Sequence, residues 1–194
     1  IIFCVDGVHG LGVEDVRFAD LDCDFLIAGT HKWLFGPRGT GIICSRWTEL
    51  KYVTPIIPTF SRDINFGTTY SPGGYQPFEH RWALTEAFKL HLDLGKAAVQ
   101  QRIHALNRYL RERLGQLGAI ELVTPTDPAL SAGFSFFRPR RGDEQGLSKY
   151  LNENRVLCNA VHRDVGPVVR MAPGLLNDEA EIDHVVGLLT KRLA

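Results

Sequence analysis

The chain has 194 residues, which is long enough to bury a core without disulfide or metal cross-links. Its 22 basic and 22 acidic residues balance, so we expect neither nucleic acid nor an anionic membrane as a partner. No apolar stretch approaches the ~20 residues of a membrane helix, and no secretory leader opens the sequence. We therefore expect a cytoplasmic protein, unless an export signal lies on a missing N-terminal segment.

The four cysteines do not form a Cys-x-x-Cys pair, and most of them lie in or beside apolar runs. A buried thiol in such a run behaves as a small hydrophobic side chain. We therefore expect reduced cysteines in the core and no metal site.

Three short apolar segments, 1–5, 24–28 and 41–45, are separated by polar turns and predict successive strands of an α/β sheet. The first is entirely apolar, which is typical of a parallel strand that is buried on both faces. Too few strands follow to build the sheet around it, so we expect an incomplete chain. Functional side chains should cluster where these strands end.

Proline and glycine residues between 53 and 78 predict a long loop that borders a site. Apolar residues at helical spacing follow over 82–117, with Gly95 expected to kink or split the helix. The remainder predicts a small α+β domain, and we place the domain boundary between 1–95 and 96–194. Its expected elements are strands at 131–138, 156–161 and 166–171, a helix at 143–153, and a last helix that begins near 177–179 with a capping side chain.

Polar motifs follow the first two predicted strands. They are DGVHG at 6–10 and GTHKW at 29–33, and GPRGTG follows at 36–41. Together with CDFL at 23–26, this combined spacing resembles the signature of the class V aminotransferases, which are enzymes that use pyridoxal 5′-phosphate (PLP). The pairing of HKW with GPRG is most similar to the isopenicillin N epimerase-like branch, and the resemblance covers essentially the whole chain.

The resemblance implies a fold class of α/β, the PLP-dependent transferase fold type I. In that fold the chain corresponds to the C-terminal part of the large parallel-sheet domain plus the small α+β C-terminal domain. It also implies PLP as the cofactor, an amino acid or similar small molecule as the substrate, and a homodimer of longer chains. The side chain that stacks on the cofactor and part of the phosphate site would then lie outside these 194 residues.

Lys32 is the residue that the resemblance assigns to the Schiff base with PLP. A free lysine amine is almost wholly protonated at neutral pH, so this chemistry requires a partly desolvated, cationic site. A position at the end of a buried strand, beside His31, is suited to that requirement. The alternative is an ordinary surface lysine in a turn.

Four further residues are assigned to the cofactor by the same resemblance. Asp6 would hold the pyridine nitrogen protonated, so that the ring acts as an electron sink. His9 would contact the phenolic oxygen, and His31 the phosphate. Many relatives carry serine or asparagine where this chain has Gly29, which leaves Thr30 as the nearby hydroxyl for the phosphate. The alternatives are a helix-capping role for Asp6 and a turn role for His9.

Arg170 matches the arginine that binds the substrate α-carboxylate in this family. A guanidinium holds a carboxylate in a bidentate fashion, and an arginine in an apolar strand requires an anionic partner. His162 and Arg163 are expected to face solvent. The Gly-Thr pair that reaches a neighbouring subunit's phosphate in many relatives has only 67–68 as a weak match here, and the roles of His80 and Arg81 are left open.

The expected function is a PLP-dependent reaction on an amino acid, of the aminotransferase, epimerase or lyase type. A cysteine desulfurase would need a reactive cysteine on an exposed loop of the small domain. Cys158 is the only cysteine there and lies within the apolar run 156–158, which disfavours desulfuration. The alternative from another class is a non-catalytic fragment that lacks half of the cofactor site.

Overall fold

The computed structural model describes residues 1–46, 54, 56, 57 and 77–194. The chain divides into two units, Ile1–Gly95 and Lys96–Ala194. The loop predicted over 53–78, including the Gly-Thr pair at 67–68, lies almost entirely outside the described residues.

In the described part of the first unit, three short strands form a sheet: β1 (Cys4–Asp6), β2 (Phe25–Gly29) and β3 (Gly41–Ser45). The strand order is β1-β2-β3. The strands β1 and β2 run parallel, with Asp6 opposite Ile27, whereas β3 runs antiparallel to β2. The predictions of strands at 24–28 and 41–45 are confirmed to within one residue.

The prediction for the first strand is wrong in its extent and its burial. Residues 1–3 precede β1, and the exposed fractions of Ile2 and Phe3 are 49% and 52%. Among the described residues, β1 pairs on one side only, so its apolar side chains lie at an edge of the sheet rather than inside it. Cys4 is exposed for the same reason, whereas Cys23 and Cys158 are buried as expected.

The helical region divides at Gly95 into α1 (Phe78–Leu94) and α2 (Lys96–Gly115). Gly95 has φ +82, a left-handed backbone that glycine adopts at little cost, and its N–H bonds the carbonyls of His91 and Leu92. Gly95 therefore ends the first helix instead of bending a continuous one.

The second unit packs helices α2, α3 (Glu144–Glu153) and α4 (Glu179–Leu193) around a four-stranded antiparallel sheet. Its strands are β4 (Ile120–Leu122), β5 (Ser135–Pro139), β6 (Asn159–Arg163) and β7 (Gly166–Met171), in the order β4-β5-β7-β6. Leu106, Phe137 and Leu189 are completely buried in its core. The predicted elements of this unit are present, although β5 begins at Ser135 rather than at 131, and β6 at Asn159 rather than at 156. The strand β4 was not predicted because three residues carry too little pattern.

The last helix begins with a complete capping box. The carboxylate of Asp178 accepts the N–H of Glu181 at 2.9 Å, and the Glu181 carboxylate accepts the N–H of Asp178 at 3.2 Å. Two N–H groups that would lack partners at the helix start are thereby satisfied.

We predict that Asp178→Ala lowers the free energy of unfolding by about 1 kcal/mol, because it removes the cap acceptor. Urea denaturation of the complete protein measures this loss. The control is Asp178→Asn, which keeps an acceptor oxygen and should lose much less. Equal losses in both variants would show that the capping hydrogen bond contributes nothing.

Candidate active site

Two motifs meet at one edge of the first sheet, because β1 and β2 are parallel and end on the same side. Asp6 is the last residue of β1, and the N–H of Gly7 continues the ladder by donating to the carbonyl of Ile27 at 2.8 Å. The carboxylate of Asp6 accepts the N–H of Val8 at 3.1 Å. This hydrogen bond turns the chain toward His9.

A cavity of about 440 Å³ opens beside this edge. Asp6 lines this cavity together with mostly apolar residues. The lining residues are Cys4, Val5, Asp6, Val8, Ile27, Ala28 and Gly29. Of the predicted cofactor residues, this lining contains Asp6 and not His9, Thr30, His31 or Lys32.

Lys32 and His9 are 23 residues apart in sequence, but their side chains are in contact. The Nζ of Lys32 lies 3.2 Å from Nε2 of His9. The other ring nitrogen of His9, Nδ1, accepts the indole N–H of Trp33 at 3.2 Å. The structure therefore brings Lys32 and the turn after Asp6 together through His9.

Gly12 allows the two motifs to pack against each other. Its φ is +83, and a Cβ at this position would lie 2.8 Å from the backbone N of Leu34 and from the backbone carbonyl carbon of Trp33. Any other residue would combine an unfavourable φ with a backbone clash. Glycine here holds the turn that carries His9 directly against the loop that carries Lys32.

His91 on α1 supports the same loop from another side. It is buried, it hydrogen-bonds the backbone of Trp33, and its ring lies 5.9 Å from that of Phe35. Phe35 itself has φ +61, a conformation that costs free energy for a residue other than glycine. Burial lowers the pKa of His91, and the hydrogen bond with Trp33 opposes this shift only in part.

Thr30 is completely buried, and its hydroxyl bonds that of Thr40. Its backbone carbonyl accepts the N–H of Gly36 at 2.8 Å, and its own N–H donates to the carbonyl of Thr40 at 3.2 Å. In this conformation Thr30 closes the loop over residues 30–40. Its contact with a cofactor phosphate stays a prediction.

The ring of His31 occupies the space beside Gly29. A Cβ on Gly29 would lie 3.1 Å from Cε1 of His31 and 3.3 Å from its Nδ1. A side chain at position 29 would therefore require the ring of His31 to shift by a few tenths of an ångström. His31 is exposed at this sheet edge.

Arg170 lies in β7 of the second unit, half-buried. Its Nη2 donates to Oδ1 of Asn159 at 3.3 Å, and its guanidinium carbon lies 5.5 Å from the ring centre of Phe134. No carboxylate of the described residues is within ion-pair distance of it. A neutral amide and an aromatic ring thus hold a guanidinium that retains its capacity to bind an anion.

The other candidate side chains of the two units behave differently. His162 and Arg163 are exposed in β6. Cys158 precedes that strand and is buried against the hydroxyl of Ser148, where burial raises the pKa of its thiol. His80 and Arg81, in the first turn of α1, gain no role from the geometry.

Sequence reasoning missed three contacting residues: Trp33, His91 and Asn159. Trp33 follows Lys32 directly, so its position beside the motif was the available signal. Asn159 lies opposite Arg170 in the β6–β7 register, which no local pattern reveals. His91 lies in helix α1, far from Trp33 in sequence and outside the motif, so no local pattern indicates their contact.

The family model described as aminotransferase class-V matches residues 1–185. The chain belongs to the class V aminotransferase family. Isopenicillin N epimerase of Amycolatopsis lactamdurans is 27% identical over 97% of this chain and 52% of its own length. The isopenicillin N epimerase of Streptomyces clavuligerus is 29% identical over 95% of this chain and 51% of its own length. This class V chain therefore spans about half the length of the curated relatives it matches.

Solved structures share the fold of this class V chain. The apo cysteine desulfurase of Thermococcus onnurineus NA1 superposes with a TM-score of 0.88 at 18% identity, and covers 99% of this chain and 52% of its own. The expected family and fold class, the PLP-dependent fold type I, are therefore confirmed. None of the described helices has the length and apolar character needed to cross a membrane.

We predict that His91 makes the protein less stable in mild acid. The pKa of His91 in the folded protein is below its ordinary value of 6.5. Below pH 6.5 the unfolded chain therefore binds more protons than the folded protein, and protonation favours unfolding. The stability is fully present above pH 6.5 and decreases as the pH falls below it.

The measurement is urea denaturation between pH 7.5 and 5.5 for the native protein and for His91→Asn, which keeps a donor for Trp33 but does not titrate. The other histidines contribute equally to both proteins and cancel in the difference. The interpretation is wrong if both proteins lose stability in parallel.

Proposed function

We propose that this chain carries part of the active site of a PLP-dependent enzyme that acts on an amino acid, with Lys32 as the residue that attaches the cofactor as a Schiff base. The observation that carries the proposal is the contact between Lys32 and His9, at the sheet edge where Asp6 borders a cavity. An amine, an imidazole and a carboxylate are the groups that a class V member needs there.

PLP, when bound, supplies an electron sink that stabilises negative charge on the substrate carbon. Asp6 would hold the proton of its pyridine nitrogen, since the carboxylate stands in the cavity wall. Donation from Val8 fixes one carboxylate oxygen of Asp6 and leaves accepting capacity on the group.

His9 would contact the phenolic oxygen of PLP, because its Nε2 already faces the amine that binds the adjacent aldehyde carbon. The exposed ring of His31 would donate to the phosphate, and Thr30 would contribute by holding the loop in place. Lys32 itself would act as the amine nucleophile and then as the base that moves a proton at the substrate carbon.

Arg170 would bind the carboxylate of the substrate through its planar guanidinium. Asn159 and Phe134 fix the orientation of that group without neutralising it. The first unit would be the PLP-binding part of the large domain, and the second unit the connector helix and small domain. We further propose a cytoplasmic homodimer.

The reaction type that fits best is aminotransferase, epimerase or lyase chemistry rather than desulfuration. A desulfurase nucleophile must be accessible and readily ionised. Cys158 is the only cysteine of the second unit in the sequence, and it is buried with a raised pKa.

We predict that borohydride reduction of the protein with PLP fixes a pyridoxyl group on Lys32, because the reagent reduces a Schiff base to a stable amine. Mass spectrometry of the digested protein identifies the labelled peptide. Lys32→Ala should abolish the label, whereas Lys89→Ala, which removes an exposed lysine of α1, should not. Absence of any label on the native protein would favour a non-catalytic chain.

We predict that Arg170→Ala weakens binding of α-amino acids about ten- to a hundredfold, because it removes charge-assisted hydrogen bonds. Equilibrium titration that follows the cofactor spectrum measures this effect. The control is Arg163→Ala on the neighbouring strand, which should bind normally. Unchanged affinity in Arg170→Ala would exclude Arg170 from the carboxylate site.

A further inference from the structure

We propose that Trp33 is a positioning residue that fixes the proton of His9 on Nε2, the ring nitrogen that faces Lys32. Trp33 follows Lys32 directly, and its indole N–H lies 3.2 Å from Nδ1 of His9. The significance of this proton for catalysis rests on the proposed function, whereas its position on the ring depends on the Trp33 hydrogen bond and on a Lys32 nitrogen that is not an ammonium group.

The Nε1–H of tryptophan donates a hydrogen bond and cannot accept one. The nitrogen that it faces must therefore present a lone pair, so Nδ1 of His9 carries no proton while this hydrogen bond exists.

A neutral imidazole carries one proton, and the remaining position is Nε2. The opposite tautomer would point two N–H groups at each other across the 3.2 Å between Trp33 and His9. Nε2–H then points at Nζ of Lys32, at 3.2 Å, and His9 donates in that contact when the Lys32 nitrogen carries a lone pair, since an ammonium group cannot accept a hydrogen bond. An ammonium group on Lys32 could not donate to Nε2 unless the hydrogen bond from Trp33 broke.

Two contacts hold Trp33 where it can exert this control. The backbone of Gly12 packs so closely on Trp33 and Leu34 that a Cβ would not fit. On another side, the buried His91 hydrogen-bonds the backbone of Trp33. The main chain of Trp33 is thereby held between two elements of the first unit, which leaves its indole little freedom to move away from His9.

The tautomer determines what His9 offers to a bound cofactor. The phenolic oxygen of PLP accepts hydrogen bonds when it is ionised, so an Nε2–H donor stabilises that form. Without Trp33, Nδ1 can carry the proton and Nε2 can accept from a Lys32 ammonium. His9 would then compete with the cofactor oxygen as an acceptor instead of stabilising it.

The first test is made without PLP. In protein labelled with ¹⁵N, the imidazole shifts of His9 report which nitrogen is protonated, and coupling across the hydrogen bond joins Nδ1 to the indole N–H. The protein with Lys32→Ala, which removes the competing ammonium donor, should show protonated Nε2 with this coupling, and adding Trp33→Phe to it should populate the Nδ1–H form. Trp82→Phe, which removes an exposed indole of α1, should leave the His9 signals unchanged.

Protonated Nδ1 in the Lys32→Ala protein would overturn the proposal. So would an unchanged tautomer when Trp33→Phe is added. If the double variant fails to fold, the Lys32→Ala spectrum alone decides, since it shows the protonated nitrogen and the presence or absence of the coupling.

The second test uses His9→Gln, whose carboxamide N–H₂ donates regardless of Trp33. We expect Trp33→Phe to weaken PLP binding about five- to tenfold when His9 is present, and less than about twofold in the His9→Gln background. An equal loss in both backgrounds would mean that Trp33 only supports the fold. Failure of every protein to bind PLP would contradict the proposed function, while the spectra would still decide the tautomer.

Discussion

The parallel pairing of β1 with β2 is the constraint on which the rest of the site depends. Parallel strands end at the same edge of a sheet, so the residues that follow Asp6 and those that follow Gly29 emerge side by side. The short strands contribute little stability of their own. In their register Asp6 lies opposite Ile27, and this pairing determines where along the sheet each of the two loops begins. The contact between His9 and Lys32 depends on that alignment.

The loops beyond the strands convert this proximity into a defined geometry. Thr30 and Thr40 close the loop that follows β2, and Gly12 lets the other loop approach its backbone. The loops that carry His9 and Lys32 are thus held by residues that belong to the loops themselves. Catalytic groups need such support, because small displacements of a reacting amine reduce its rate strongly.

Local patterns were sufficient for the strands at 24–28 and 41–45, for the break at Gly95, and for the cap before the last helix. Each of these depends on neighbours in sequence. The exposure of residues 1–3 was not predictable, because a wholly apolar run is the same whether or not another strand covers it. The motifs predict Lys32 and Asp6 as site residues, but the positions of Trp33, His91 and Asn159 depend on contacts between distant segments, which periodicity does not encode.

A crystal structure of the protein with PLP tests the central claim most directly. We expect continuous electron density from Nζ of Lys32 to the aldehyde carbon of the cofactor. We also expect a carboxylate oxygen of Asp6 within hydrogen-bond distance of the pyridine nitrogen. A cofactor attached to another lysine, or bound at Lys32 with its ring nitrogen facing away from Asp6, would contradict it.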